Sequence, residues 1–338
     1  MLEIKDLVLR YRTGSLFSRL KPGAVRSVDI LAGVSLHVAP GKTLGLIGES
    51  GSGKTTLGRA VIGLTPISGG MVQVNGREPR DASDWSWRGI RRDTGLIFQD
   101  PMAALDPRMR VEKLVTEPFS VNGREIDRRA EASRLLSMVG LPAAFIDRYP
   151  HQLSGGQARS VAVARALALR PKLIIIIADE PTAGLDLSVQ GELLNLLTSL
   201  QRELGMSCLM ITHNLAITRH VTDDIAIMYL GRIVESGPTA TLFRAPAHPY
   251  TAALLSAKSS DGAAGKGALT GEIPTLAHRP TGCEFHTRCP RAQDRCRIDA
   301  PLLRPMTGGK HVSCHFPLLR AAHASARSGA IIFKDTHA

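Results

Sequence analysis

Aromatic side chains and long apolar runs are both scarce in this chain of 338 residues. Aromatic residues make up only 4% of it, which argues against a stacking platform for single-stranded nucleic acid. The longest apolar run, Leu173–Ala178, falls far short of the roughly 18 residues that cross a bilayer. No basic stretch followed by an apolar one marks the amino terminus, so we expect a cytoplasmic protein without a cleaved leader.

Charge and cysteine content narrow the possible partners. The net charge is +12, which permits nucleic acid, an anionic membrane surface or an acidic ligand such as a nucleotide. The basic residues are spread out, with no run of five, so a solvated basic surface is the simplest interpretation. Five cysteines in a cytosolic chain do not predict disulfides, yet four of them fall between Cys283 and Cys314.

The order of apolar segments predicts an α/β fold. Up to about residue 243, short β-branched runs alternate with helical stretches, as expected around a mixed or parallel sheet. None of the predicted strands alternates polar with apolar residues, so both of their faces should be buried. The predicted strands are Thr43–Ile47, Thr94–Phe98, Leu173–Ala178, Cys208–Thr212 and Ile225–Tyr229.

The remaining organisation follows from where strand signals stop. Between Gln99 and Pro150 they vanish, and Glu125–Val139 carries apolar residues along one helical face, which predicts a helical subdomain over about residues 100–165. We expect a domain over residues 1–243, a connecting segment over 244–271 that becomes rich in Gly, Ala and Ser, and a Cys-rich domain over 272–316. Residues 317–338 are predicted to form a flexible tail.

A phosphate-binding loop is predicted at Gly48–Thr55, which reads GESGSGKT and lies between a predicted strand and a helical run. Its glycines let backbone N–H groups turn onto phosphates at a helix N-terminus. Lys54 is expected to hold the β- and γ-phosphates, and the Thr55 hydroxyl to bind Mg²⁺. The predicted nucleotide ligands here are Gly48, Ser50, Gly51, Gly53, Lys54, Thr55 and Thr56.

Two carboxylates follow the apolar run Leu173–Ala178. Asp179 is expected to orient Mg²⁺ through its hydration shell, and Glu180 to position and polarise the attacking water. Alone, such a pair could simply begin a turn. Together with the phosphate loop upstream, it indicates a nucleoside triphosphatase.

A second anion site is predicted at Ser154, Gly155, Gly156 and Gln157, directly ahead of the helical run Ala158–Leu169. A serine hydroxyl and glycine N–H groups at a helix start can bind a phosphate. Two phosphate sites so far apart in one sequence imply either a composite site or a dimer.

In this combination the chain resembles the nucleotide-binding subunit of ABC transporters. Gly48–Thr55 resembles the Walker A motif, Leu173–Asp179 with Glu180 the Walker B motif, and Leu153–Gln157 the family signature. Three further motifs fit the family order: Gln99 as the Q-loop glutamine, Ala183–Asp186 as the D-loop and His213 as the switch histidine. The resemblance implies an ABC ATPase fold, with a P-loop core, a mixed sheet, a helical subdomain and here a small Cys-rich extension.

The resemblance also implies a mechanism. Two subunits close head to tail, so that each ATP lies between the Walker A motif of one chain and the signature of the other. Glu180, His213 and Gln99 would then be catalytic, with His213 on the γ-phosphate and Gln99 on Mg²⁺ or the lytic water. Tyr11 resembles the aromatic residue that stacks on adenine, although an ordinary strand aromatic is an equally good interpretation.

One departure from the family lies in the Walker B strand, which is two residues longer than is usual. An even difference preserves the alternation of side-chain directions, so the carboxylates are expected to keep their orientation.

Residues beyond 244 narrow the resemblance to the ATPases of oligopeptide, dipeptide and nickel importers. The similar segments are Ala247–Ala257, Gly271–Pro274, Pro280–Cys283 and His286–Pro290. This implies a subunit at the cytoplasmic face of the inner membrane, paired with a second, non-identical ATPase beneath two permease subunits, with a substrate-binding protein outside and no nucleic acid bound. Permease contacts are expected within Asp100–Arg110, from Met102, Ala103, Ala104 and Leu105.

Two alternative functions remain. A soluble ABC ATPase acting on nucleic acid or ribosomes would fit the positive charge. Such proteins generally carry two cassettes in one chain or a long coiled-coil insertion, and this sequence shows neither. An exporter ATPase is a nearer alternative, which the Cys-rich extension disfavours.

Four clustered thiols in a cytosolic protein indicate metal ligation. Cys283, Cys289, Cys296 and Cys314 lack paired C-x₂-C spacing, so their pattern suits either Zn²⁺ or an iron–sulfur cluster. The family resemblance favours [4Fe–4S], which related importer ATPases carry in this segment. We expect the cluster to hold the segment together, so that removing any one of the four cysteines loosens the chain beyond Gly271 and weakens assembly while the nucleotide site stays folded. Cys208, inside an apolar strand, is expected to be an ordinary core residue.

Overall fold

The structure is a computed structural model that describes residues 1–12, 27–81, 83–98, 100, 102–178, 187–256 and 271–318. Within these residues the strands are β1 (Leu2–Arg12), β2 (Ser27–Val38), β3 (Thr43–Ile47), β4 (Gly69–Val74), β5 (Thr94–Ile97), β6 (Leu173–Ala178), β7 (Ser207–Thr212), β8 (Asp224–Tyr229), β9 (Arg232–Pro238), β10 (Arg304–Met306) and β11 (Lys310–Val312). The helices are α1 (Lys54–Val61), α2 (Asp84–Asp93), α3 (Val111–Val121), α4 (Arg128–Met138), α5 (Gly155–Leu167), α6 (Leu187–Leu204), α7 (Leu215–Val221), α8 (Thr239–Arg244), α9 (Pro249–Ser256) and α10 (Asp294–Ile298).

The larger sheet has the order β10-β11-β9-β8-β3-β7-β6-β5 and is mixed. Its centre is parallel, because β3 pairs in parallel with β7 and β8, and β6 pairs in parallel with β5 and β7. All five predicted strands belong to it, although β5 ends one residue before Phe98 and two others begin one residue early. Every residue of β3 and β7 is buried, as their unbroken apolar runs predict.

The smaller sheet is antiparallel, in the order β2-β1-β4. Its apolar face packs with α1 and the central strands in one core, which includes Leu2, Leu31, Leu57, Val72 and Leu209. This sheet was not predicted, and it supplies one wall of the core beneath the phosphate loop.

The predicted helical subdomain contains α3, α4 and the start of α5, which share a second core around Leu114, Leu135 and Val161. The predicted helix Glu125–Val139 is shorter in the structure, since Asp127 caps α4 by accepting the N–H of Ala130 at 3.1 Å. Among the described helices, none is both long and apolar enough to cross a bilayer.

Residues beyond 271 continue the larger sheet. Strand β11 pairs with β9 through His311 opposite Ser236 and Val312 opposite Glu235. Phe285 is fully buried in a third core with Ile47, Tyr229 and Tyr250. The boundary at residue 271 stays a prediction, and the described residues on its two sides share a sheet and a core.

Candidate functional site

Three parallel strands end together at one edge of the larger sheet. Thr212 at the end of β7 lies opposite both Ile47, the last residue of β3, and Ala178, the last residue of β6. Ligands of open α/β sheets bind at this edge, outside the carboxyl ends of the strands. The phosphate loop and His213 therefore begin side by side here. Strand β6 keeps its register without a shift along its whole length, so its extra residues introduce no bulge.

The phosphate loop needs glycine at particular positions. Gly51 and Gly53 have φ values of +77° and +101°, in the left-handed region that favours glycine. A Cβ on Gly48 would lie 2.2 Å from the Met228 carbonyl oxygen, closer than any real contact. Gly53 precedes α1 and has no side chain to cap it, so the first N–H groups of the helix can bind an anion.

Lys54 lies inside this loop, with its side chain only 2% exposed. Its Nζ donates to the carbonyl oxygens of Gly48 at 3.0 Å and Glu49 at 2.9 Å. Ser50 and Gly51 are exposed, and Thr55 and Thr56 are half-buried. The loop therefore holds a buried ammonium group next to accessible backbone, an arrangement that suits a polyphosphate.

The predicted signature motif forms the start of α5. Ser154 accepts the N–H of Gln157 at 3.3 Å, while the Gln157 Oε1 accepts the N–H of Ser154 at 3.0 Å. This reciprocal capping box fixes the helix start. Ser154 and Gly155 are exposed, and Gly156 is half-buried, so the motif is accessible to a nucleotide held by another chain.

The other predicted site residues are divided between described and undescribed parts of the chain. His213 is half-buried, and Asn214 next to it caps α7 by accepting N–H groups of Ala216 and Ile217 at 3.1 and 3.3 Å. Tyr11 lies near the end of β1 and is 45% exposed. Gln99, Asp179, Glu180 and the D-loop Ala183–Asp186 lie outside the described residues.

Cys283, Cys289, Cys296 and Cys314 line one small cavity, together with His248 and Phe285. The cavity measures about 10 Å³, close to the space that one water needs. Within the described ranges, no three or more His, Cys, Asp or Glu side chains form a group arranged to hold a metal ion. Thiol ligands suit zinc or an iron–sulfur cluster chemically, and the cavity would have to widen to hold a four-iron core.

Burial raises the pKa of three of these thiols. It raises the pKa of Cys283 and of Cys314 to about 11 each, and it also raises the pKa of Cys289. Thiols of this kind stay neutral at pH 7, so metal ligation would release their protons. Cys208 lies in β7, and burial raises its pKa to about 12, as expected for a core thiol.

A large groove of about 850 Å³ lies between α2, β5 and the helical subdomain. Leu64, Trp85, Phe98 and Val121 contribute exposed apolar surface to it, and Trp85 is 77% exposed. The groove also contains Arg88, Arg91, Arg92 and Arg165.

Of the residues predicted to contact a permease, Ala104 lines the groove and Met102 is exposed. The prediction for Leu105 is wrong, because its side chain is packed into the core of the helical subdomain and is only 3% exposed.

Two residues that contact the phosphate loop were not predicted. Arg288 pairs with the carboxylate of Glu49, and the Tyr250 hydroxyl accepts the Glu49 N–H. The sequence did contain one signal for them: Glu49 is a carboxylate within the predicted phosphate site, so a nearby cation is needed to compensate its charge.

Comparison with protein families gives two matches along the chain. The model of the ABC transporter family matches residues 31–183, and the model of the oligopeptide/dipeptide transporter C-terminal region matches residues 234–296. The second match covers three of the four clustered cysteines.

Similar proteins span nearly the whole chain. A putative peptide import ATP-binding protein of Brucella abortus is 45% identical over 86% of this chain and 86% of its own length. The di/tripeptide transport ATP-binding protein DppF of Pseudomonas aeruginosa is 43% identical over 85% of this chain and 90% of its own. For the oligopeptide transport ATP-binding protein OppF of Escherichia coli the identity is 41%, over 90% and 92% respectively.

Solved structures agree with the fold. A dimeric ATP-binding cassette in a post-hydrolysis state with ADP and phosphate is 29% identical, with a TM-score of 0.60 over 71% of this chain and 99% of its own. CbiO1 from Clostridium perfringens, part of an ABC transporter complex, is 28% identical, with a TM-score of 0.60 over 72% of this chain and 90% of its own. The predicted α/β fold with a mixed sheet and a helical subdomain is confirmed.

Proposed function

The chain belongs to the ABC transporter family of ATPases, and on that premise we propose that it hydrolyses ATP to energise the import of peptides or related small solutes. The observation that carries the ATPase function is the edge at which β3, β6 and β7 end in register, with the glycine-rich loop and buried Lys54 on it. The match of residues 234–296 to an oligopeptide/dipeptide transporter region supports the solute class.

Different residues of the phosphate loop bind different parts of MgATP. Backbone N–H groups around Gly51 and Gly53 bind phosphate oxygens, and Lys54 exchanges its carbonyl acceptors for the β- and γ-phosphates. Thr55 would hold Mg²⁺ with help from Gln99 and Asp179, and the bound ion would neutralise charge on the phosphates.

The remaining catalytic groups act on the γ-phosphate and on water. Glu180 polarises the water that attacks the γ-phosphorus, and His213, which follows the in-register end of β7, contacts the γ-phosphate. Tyr11 stacks on the adenine ring.

We propose that catalysis needs two chains. The exposed Ser154 and the glycines after it bind the nucleotide held by the partner, since the N-terminus of α5 is accessible from outside. The partner is a second, non-identical ATPase, and both contact two permease subunits at the inner membrane, with a substrate-binding protein on the other side.

The permeases dock in the groove that contains Trp85 and Phe98. An amphipathic helix with acidic residues fits this groove, because exposed apolar side chains there lie beside Arg88, Arg91 and Arg92. The fourth arginine, Arg165, already pairs with Glu117 of the groove at 3.0 Å. Peptide uptake by liposomes that contain the complete complex and ATP tests the function as a whole.

We predict that Trp85→Ala prevents docking without affecting ATP binding. Trp85 projects from α2 with 77% of its surface exposed, and a central aromatic anchor typically contributes enough to weaken an interface about 30-fold when removed. Co-purification of the permeases with the variant should fail, and peptide uptake should be lost. The matched control is Ile298→Ala, since Ile298 is 76% exposed outside the groove. Normal permease recovery with Trp85→Ala would contradict the docking site.

We further propose that Cys283, Cys289, Cys296 and Cys314 hold a [4Fe–4S] cluster, with Zn²⁺ as the alternative. Their common cavity, their four-thiol donor set and the resemblance to importer ATPases support this. Such a ligand would stabilise a segment whose own apolar core is small.

Metal analysis of the protein purified without oxygen should find iron and sulfide at about four of each per chain, with absorption near ~400 nm. Cys296→Ser should lose the metal, because three thiolates leave one iron without its ligand. Cys208→Ala is the control and should keep it, since Cys208 is not among the residues that line the cavity. Zinc without iron would contradict the cluster while keeping the ligands, and no metal would contradict both.

A further inference from the structure

The phosphate loop is bonded through its second residue, Glu49, to the carboxyl-terminal segment, by which we mean the described residues beyond 243. The Arg288 Nη1 lies 2.7 Å from the Glu49 Oε2, and its Nη2 lies 3.0 Å from the Oε1. Both nitrogens thus meet both oxygens in the two-pronged geometry that strengthens arginine–carboxylate pairs. The Arg288 side chain is 4% exposed and that of Glu49 is 21% exposed, so water screens this pair less than a surface pair.

The loop backbone at the same residue has a second contact. The N–H of Glu49 donates to the Tyr250 hydroxyl at 3.0 Å. The Tyr250 ring lies in an aromatic cluster, with centroids 4.8 Å from Tyr229 and 5.4 Å from Phe285. Phe285 precedes Arg288 by three residues, so two residues beyond 243 hold Glu49: Arg288 its carboxylate and Tyr250 its backbone.

The Arg288–Glu49 pair affects ligand binding because Glu49 and a polyphosphate ligand carry charge of the same sign. Glu49 places a carboxylate in a loop whose proposed ligand is a polyphosphate, and like charges within a partly buried site repel strongly. Lys54 alone cannot offset both, since its ammonium group is expected to serve the phosphates. Arg288 supplies the second positive charge and directs it at Glu49.

We propose that Arg288 is a positioning residue of the ATP site: by neutralising Glu49 and fixing the loop, it makes affinity for polyphosphate depend on the folded carboxyl-terminal segment. This rests on the proposed ATPase function.

The test measures equilibrium binding of MgATP, MgADP and AMP to the full chain carrying Arg288→Met. Repulsion by the unpaired Glu49 should weaken MgATP binding about tenfold, weaken MgADP less and AMP least. The defect should shrink as salt rises, because screening acts on the repulsion. Adding Glu49→Gln to Arg288→Met should restore most of the MgATP affinity, since the repelling charge is then gone.

Two further variants separate positioning from folding. Arg295→Met removes an arginine of the same segment whose pair with Asp299 is exposed, and it should bind MgATP like the wild type. Arg288→Lys keeps the charge without the fork, so it should retain most of the preference for MgATP over AMP even if Arg288→Met folds poorly.

The outcomes distinguish this inference from the function on which it rests. Normal MgATP binding by Arg288→Met, an equal loss for all three nucleotides, or no rescue by Glu49→Gln would overturn the role of Arg288. Failure of the wild-type chain to bind MgATP would instead overturn the proposed function.

Discussion

Glu180→Gln is expected to retain MgATP binding and to lower ATP hydrolysis by the complete complex by about 10²–10⁴-fold. The amide keeps the size of the side chain, and the contacts of Lys54 and Thr55 with the nucleotide survive. The group that polarises the attacking water is lost, so the ATP-bound dimer should accumulate in its closed form. Phosphate release and the fraction of nucleotide-bound dimer measure the two effects.

A matched substitution distinguishes a catalytic carboxylate from any surface carboxylate. Glu203 is exposed near the end of α6, and Glu203→Gln should hydrolyse ATP at the wild-type rate. If Glu180→Gln also turns over ATP at that rate in the assembled complex, Glu180 does not polarise the water.

Lys54→Ala is expected to weaken ATP binding itself, by about 10–100-fold, the range for losing a hydrogen bond to a charged partner. Its ammonium group is buried within the loop and already lies within 3.0 Å of two loop carbonyls. Removing it leaves the phosphates without their principal cation and the loop without an internal donor. Equilibrium titration with MgATP measures the loss, alongside thermal unfolding to confirm that the chain is folded.

Lys42 provides the control for this second substitution. It lies just before β3, and its Nζ pairs with Asp223 at 2.7 Å on an exposed surface. Lys42→Ala should therefore bind MgATP normally. Wild-type affinity in a folded Lys54→Ala variant would contradict the assignment of the phosphate loop.

Strands β3 and β7 could be predicted because each is an unbroken run buried on both faces. The expectation of burial on both faces is wrong for β5, which lies at the edge of the sheet and leaves Thr94 and Leu96 half-buried. The strands of the smaller sheet could not, since β1 mixes buried and exposed residues without strict alternation and its pairing with β2 contains register shifts. Gly33 lies within β2 with a φ of +77°, and an internal glycine weakens a strand signal.

Residues of the candidate site could be predicted only where they belong to a local sequence motif. Phosphate binding by Gly48–Thr55 and by Ser154–Gln157 could be predicted, because each pattern lies within one short segment of the sequence. The Arg288–Glu49 pair joins residues 239 positions apart, so only the fold brings them together. Trp85 was not predicted as a docking residue, because the sequence does not show which of two tryptophans on one short helix faces solvent. In the structure Trp87 is buried and Trp85 is exposed.

The measurement that tests the central claim most directly is the direction of ATP-driven peptide movement. Liposomes would contain the complete complex with its nucleotide sites facing inward, ATP and Mg²⁺ inside, and labelled peptide with its binding protein outside. The proposed function predicts that peptide accumulates inside only when ATP is present, and that Glu180→Gln abolishes this accumulation. Movement of peptide outward, or hydrolysis of ATP with no effect on peptide, would contradict it.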